Sequence, residues 1–361
     1  MKIHWFFKFL MISGVVFIVW LLFYYGLPKL LPVQSVKNTQ VYGLIFGDQI
    51  WEGEIKVVGD IYSPTNSTVK ILPGTRVRVA IKNDKSNFDL LPWHRKSGIN
   101  TGESYRGVNK NEPFWDETQK IQINLSNLII LGVFSNPVTI TSDSENPSPY
   151  DFNLIKIRKG NINQAIFSDY RRFEIGNDVV ISNSIFRNTG ECSLCLSFGS
   201  PKIINNVFEK SFRESVFVEK ASPQINNNLF QNLNGEGIKI DAKRLSVPII
   251  TNNNFEMPRN TAIDFISGGQ LQEGLIAKNV FDGNSLIKIA CDAKVKIRDN
   301  VILGQISFSS GCDGSFVFGP NYWGTQDTTS IIKEKILNKH KTFSITIPTV
   351  LLSVPKEAGR K

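Results

Sequence analysis

Four charged residues, Glu219, Lys239, Asp241 and Asp264, recur at a spacing that could bring carboxylates together for sugar chemistry. Glycosidic cleavage needs two carboxyl groups on one groove, one to protonate the leaving oxygen and one to act as base or nucleophile. Glu219 and Asp241 would share one outward column of a repeat, and Lys239 and Asp264 the next, with Lys288 one coil further. Neighbours in such a column stand about 5 Å apart, near the separation of a retaining pair. The same side chains serve equally as a ladder of opposite charges paired across strands. That structural reading needs no further assumption and is preferred.

A second group, Trp93, His94, Arg95, Tyr105, Arg106, Phe114, Trp115 and Asp116, crowds residues 80–121, a segment otherwise rich in Asn, Asp, Gly and Lys. Aromatic faces stack on sugar rings while neighbouring polar groups hold hydroxyls, so this loop could line a binding surface. Its structural alternative is a satellite core that pins a long loop to its neighbour. Only His4, His94 and His340 are present, none spaced with cysteines as zinc ligands are, so neither a metal nor another cofactor is expected. The lone Cys192-x-x-Cys195 could be redox-active, a local disulfide or half a zinc site, and a structural role is preferred.

What must position these residues is a repeat. Phe167, Phe186, Phe208, Phe230, Phe255, Phe281, Ile302 and Trp323 close a recurring Asn-rich phrase, with steps of 19, 22, 22, 25, 26, 21 and 21 residues. Two positions before the marker stands Asn206, Asn228, Asn253, Asn279, Asn300 or Asn321. An asparagine tolerates the left-handed backbone of a tight turn, and its amide can hydrogen-bond along a stack. A second strand of period two follows each marker, as in residues 216–219, 238–241, 263–266, 286–290 and 306–309. Coils this short bury a face only by stacking on their neighbours. Leucine-rich repeats share the period, but their L-x-x-L-x-L phrase is absent.

On these features the chain resembles the right-handed parallel β-helix proteins of the pectate-lyase-like superfamily. Residues 57–79, with a strand leading into Pro73-Gly74-Thr75, look like the opening coil of such proteins. Residues 128–142, with Asn136-Pro137 before a strand, look like the next, and residues 321–325 followed by a helical run over 330–340 look like the closing coil and cap. The resemblance spans roughly residues 40–350 and implies an all-β solenoid with a short C-terminal capping helix. It lends no reaction: the clustered aspartates and Gly-His-Gly of polygalacturonases are missing, as is a clear calcium-aspartate and arginine set of pectate lyases.

Cys291 and Cys312 each fall ten residues after a marker, Phe281 and Ile302, and so share a column. Adjacent coils lie about 4.8 Å apart, close to the Cα separation of a disulfide, so a bridge is preferred to two stacked thiols.

Residues 9–27 carry no charge and as a helix would reach about 28 Å, enough to cross a bilayer core. Lys2 and Lys8 precede this stretch, which keeps residues 1–8 cytoplasmic and exports the rest. A single-pass signal anchor in the plasma membrane is therefore expected, in preference to a signal peptide cleaved after Ser35. A linker over 28–40, the β-helix over 41–354 with its insertion at 80–121, and a loose basic tail over 355–361 complete the organisation. The net charge of +9 is scattered, and an exported chain rarely meets nucleic acid, which leaves anionic glycans or wall polymers as the partner class. The expected role is non-catalytic glycan binding or envelope organisation, with an anchored polysaccharide lyase or glycoside hydrolase as the alternative.

Overall fold

The computed structural model describes residues 32–81, 120–241, 246–257, 260–267, 273–310, 312–337 and 343–360. Residues 1–8, residues 9–27 expected to form an anchor, and all eight aromatic and polar residues singled out in the insertion lie outside them. Among the described residues no helix is long and apolar enough to cross a membrane.

Twenty-seven strands join in one sheet, and every strand-to-strand pairing in it is parallel. Each strand pairs with its equivalent one coil away, the topology of a parallel β-helix. Three faces recur. Face A carries the markers, as in Ile185–Thr189, Val207–Ser211, Leu229–Gln231 and Asn254–Glu256. Face B follows with Leu194–Leu196, Val216–Val218, Ile238–Asp241, Thr261–Ser267 and Leu286–Ile289. Face C, Lys202–Ile204, Gln224–Asn226, Ile249–Thr251 and Gly274–Ala277, leads back to A. In the early coils Phe152–Asn163 and Tyr170–Ser182 run through B and C as single bent strands.

The registers match the marker count. Phe167, Phe186, Phe208, Phe230, Phe255 and Phe281 pair in sequence on face A. Their rings stack at centroid distances of 5.2, 5.1, 4.9, 4.8 and 4.9 Å, all fully buried. The strand spacing thus sets a ring spacing within the favourable range for aromatic pairs.

The turn from C to A is always two residues long in this region, and its chemistry is divided between them. Asn205, Asn227, Asn252, Lys278 and Asp299 take the left-handed backbone, with φ between 56° and 60°. The ladder asparagines are the residues that follow. Each is fully buried, and from Asn228 to Asn321 each offers its Oδ1 to the backbone N–H and side-chain amide of the previous asparagine at 2.8–3.1 Å, while Asn206 Oδ1 accepts from the Ser184 N–H. A second, outer ladder links Asn163, Asn183, Asn205 and Asn227 through their side chains. The left-handed strain and the buried hydrogen bonding therefore belong to neighbouring residues rather than to one.

Two features of the ends differ from the expectations above. The first strand, Gln34–Leu44, starts inside the stretch read as a linker and pairs with Gln49–Tyr62. The closing helix is shorter than expected: Thr328–Ser330 and Ile331–Lys335 are helical, capped by the Asp327 carboxylate on the Thr329 N–H at 2.9 Å. Ile336–Leu337 then returns to strand against Ile306 and Ser307, because Ile336 buries itself as the last rung of face B. Phe343–Thr346 forms a separate two-stranded sheet with Gly314–Val317, and Phe343 packs on Phe308 at 4.8 Å to close the core.

The tail is not loose. Leu351 donates to the Asn321 carbonyl, Gly359 to that of Lys278, and Arg360 to Asn254 Oδ1, at 2.9, 2.7 and 2.8 Å. Glu357 pairs with Lys278. Basic side chains suggest a solvated end, but here backbone N–H groups hold the tail to the outer side of face A.

Candidate functional site

Between faces A and B the chain turns at residues 212–215, 234–237 and 260–261, and these turns stack into a cleft of about 280 Å³. Glycine is required at the centre of the stack: a Cβ on Gly235 would collide with the Arg213 carbonyl oxygen of the preceding coil. Glu214 and Glu236 occupy equivalent positions one coil apart, since Ser215 donates its N–H to the Glu236 carbonyl just as Ser193 does to that of Glu214. Lys239, from the following B strand, reaches both carboxylates, with Nζ at 2.9 Å from Glu214 and 3.8 Å from Glu236. Arg213 approaches the second Glu214 oxygen at 3.8 Å.

Partial burial works against the Lys239 ammonium. The hydrogen bond and charge of Glu214, with the charges of Glu236 and Asp264, outweigh that penalty and hold its pKa above the ordinary lysine value. The lysine is therefore a fixed cation, unsuited to act as a base near neutrality. Phe212 stands at the cleft, 48% exposed, and Asn234 and Asn260 add amides to the lining.

The same edge of face B is laced with charge pairs toward the N-terminal coils. Arg171, almost wholly buried, donates twice to Glu191 at 2.9 and 2.7 Å. Lys156 pairs with Glu174 at 2.8 Å, and Arg172 reaches Glu174 and Glu191. Burial would raise the Glu174 pKa, but Arg172 and Lys156 together bring it below the usual value.

The sequence candidates fall as follows. Lys239, Asp264 and Lys288 are register partners on successive B strands, an outward column of alternating sign. The Lys239 ammonium turns to Glu214 rather than along the column. Val218 pairs with Ile240, so Glu219 and Asp241, the next residues, lie one coil apart. Glu219 faces Lys220 at 3.5 Å, and the register slips between Ile240 and Asp241, so that Asp241 pairs with Ser267. Neither lines the cleft. Glu214, Glu236 and Phe212 are not among the expected candidates, because a column along strands does not reach the turns. Their signal was present: Glu214 and Glu236 each stand six residues after a marker, Phe208 and Phe230.

Cys192, in the turn that enters face B, is bridged to Cys195 of the Leu194–Leu196 strand, and both are buried. Cys291 and Cys312 are bridged between adjacent coils, with Cα atoms 5.1 Å apart. The full-length chain, alkylated without reductant, is expected to take up no label at Cys291 or Cys312 in peptide mass mapping. Replacing both with serine is expected to cost about 3 kcal/mol, from release of the loop they close. Labelling of either cysteine in the folded, unreduced chain would contradict the bridge. Among the described residues no three His, Cys, Asp or Glu side chains converge as a metal site would require.

The sequence matches the family model for the right-handed beta helix region over residues 114–286 and again over 174–321. No curated protein and no solved structure gives a match. The matched stretch covers more than half of the 361 residues and contains the coils in which stacked phenylalanines and ladder asparagines recur, so the chain belongs to the right-handed β-helix family.

Proposed function

We propose that this protein is a β-helix held by residues 9–27 on the outer side of the plasma membrane, where it binds glycan without cleaving it. The observation that carries the reading is the cleft at the A–B turns, which combines a half-exposed phenylalanine with amides and with carboxylates already engaged by a lysine. An aromatic face beside amide donors and acceptors suits a sugar ring and its hydroxyls. A hydrolase would need one carboxyl group open to the glycosidic oxygen and a second open to the anomeric carbon or a water. Glu214 is buried, and it shares the Lys239 cation with Glu236. Such a cluster rigidifies the rim rather than presenting an acid and a base.

The test uses the full chain in detergent on an array of neutral and anionic glycans. Phe212→Ala is expected to weaken the best ligand about tenfold, the loss of one stacking contact of roughly 1.4 kcal/mol. No reducing ends or unsaturated products are expected on prolonged incubation. Turnover that disappears in Asp241→Asn and survives in Phe212→Ala would favour the anchored lyase or hydrolase instead. An array without any hit would sink both glycan readings.

A further inference from the structure

A second cleft, of about 480 Å³, lies at the other edge of face B, where the first coils turn toward face C. Its walls are hydroxyls and amides from three coils: Thr65, Ser67 and Thr68, then Ser126 and Asn127, with Arg158 and Lys159 beyond. The polar walls are held in place. Ser67 Oγ accepts from the Gly47 N–H at 3.1 Å, Asn127 donates to Thr68 Oγ1 at 3.1 Å, and Asp48, also in the lining, accepts from the Thr68 N–H at 2.9 Å.

Arg158 and Lys159 sit in the bend at the register shift between Ile157 and Lys159, opposite which the strand of the next coil carries one extra residue. Both are exposed, and neither has an ion-pair partner among the described residues, although Asp178 is the register partner of Lys159. By contrast Lys156, Arg171 and Arg172 of the same two strands are all paired. Two adjacent cations facing a ring of hydroxyls match a ligand that carries both a phosphate and free hydroxyls. Arginine takes phosphate oxygens in a bidentate fork and lysine adds a point charge.

The place of the cleft along the chain narrows the source. On the anchored reading, from which this inference follows, residues 28–33 alone separate the membrane stretch from the first strand at Gln34. Six residues span at most about 20 Å, and successive coils rise by about 4.8 Å. A cleft built from the first coils then stands beside the lipid headgroups. We propose that this cleft binds the phosphate and hydroxyls of an anionic phospholipid headgroup, of the phosphatidylglycerol type, and so fixes the solenoid against the membrane.

The experiment places the full chain in nanodiscs of phosphatidylcholine, with or without phosphatidylglycerol, and follows acetylation of individual lysines by mass spectrometry. Lys159 is expected to react about fivefold more slowly with phosphatidylglycerol present, the slowing that roughly 80% occupancy gives. Lys333, exposed in the C-terminal cap, serves as the control and is expected to keep its rate. Arg158→Ala should abolish the protection of Lys159 while leaving the thermal melting unchanged, as befits an exposed side chain. Soluble glycerol phosphate that protects Lys159 equally in phosphatidylcholine discs would assign the same site to free phosphate esters and overturn the headgroup assignment. Equal Lys159 rates in both discs, or protection by an added uronate polymer alone, would overturn the proposal and leave the anchor standing. Failure of the chain to enter nanodiscs at all would instead remove the anchored reading.

Discussion

Phe230→Ala is expected to destabilise the protein by about 4 kcal/mol, the cost of truncating a fully buried phenylalanine. The ring lies 4.9 Å from Phe208 and 4.8 Å from Phe255, tilted by 8° and 6°, so the deletion opens the middle of the stack and forfeits two aromatic contacts. Nothing nearby can fill the gap readily, because the neighbouring rings are pinned by strands in fixed register. Phe230→Leu keeps most of the volume and should cost far less, about 1.5 kcal/mol or under. Urea unfolding followed by circular dichroism measures both. A loss below about 1 kcal/mol for the alanine variant would mean that the stack is ornamental and that the strand ladder alone holds the coils together.

The second large effect belongs to Asn253→Ala. Asn253 Oδ1 accepts from both the backbone N–H and the side-chain amide of Asn228, at 2.8 and 2.9 Å. Its own amide donates to the Ile225 and Thr251 carbonyls and to Asn279 Oδ1. All of this takes place at a fully buried position, so truncation orphans several groups at once. With each buried unsatisfied group costing about 1–3 kcal/mol, a total of about 4 kcal/mol is expected even if one water enters the space. Asn253→Asp tells donor from acceptor: it preserves both bonds from Asn228 yet removes the donor toward three oxygens. A loss in the aspartate variant equal to that in alanine means that the donated bonds carry the ladder, and a clearly smaller one that the accepted bonds carry a share. A neutral alanine variant would refute the ladder as a stabilising element.

Both predictions were within reach of the sequence because a solenoid repeats its physics. Buried phenylalanines and asparagines had to recur at the coil period, and counting from Phe281 and Ile302 placed Cys291 and Cys312 in one column. The outward series Lys239, Asp264, Lys288 could be read in the same way, since strand positions keep their register from coil to coil. Turns do not advertise themselves so plainly. Glu214 and Glu236 sit in successive A–B turns whose close stacking requires Gly235, and their convergence on Lys239 comes from side-chain reach rather than from period. The tail is illegible in the sequence for a different reason: its contacts are made by backbone N–H groups of Gly359 and Arg360, which leave no mark in composition. The end of the helical cap escaped because Ile336 gains more as a final rung than as another helical turn.

The folded-back tail also decides how the molecule answers to mechanical load. Because residues 351–360 run down the side of the solenoid from Asn321 to Asn254, a pull on the C-terminus enters the structure several coils before its closing end. Tension is first borne in shear by Arg360 on Asn254 and Gly359 on Lys278, and the coils from Val280 to Trp323 feel it only after those bonds part. A protein tethered at one end and tugged at the other would thus shed a short strap before it began to unwind.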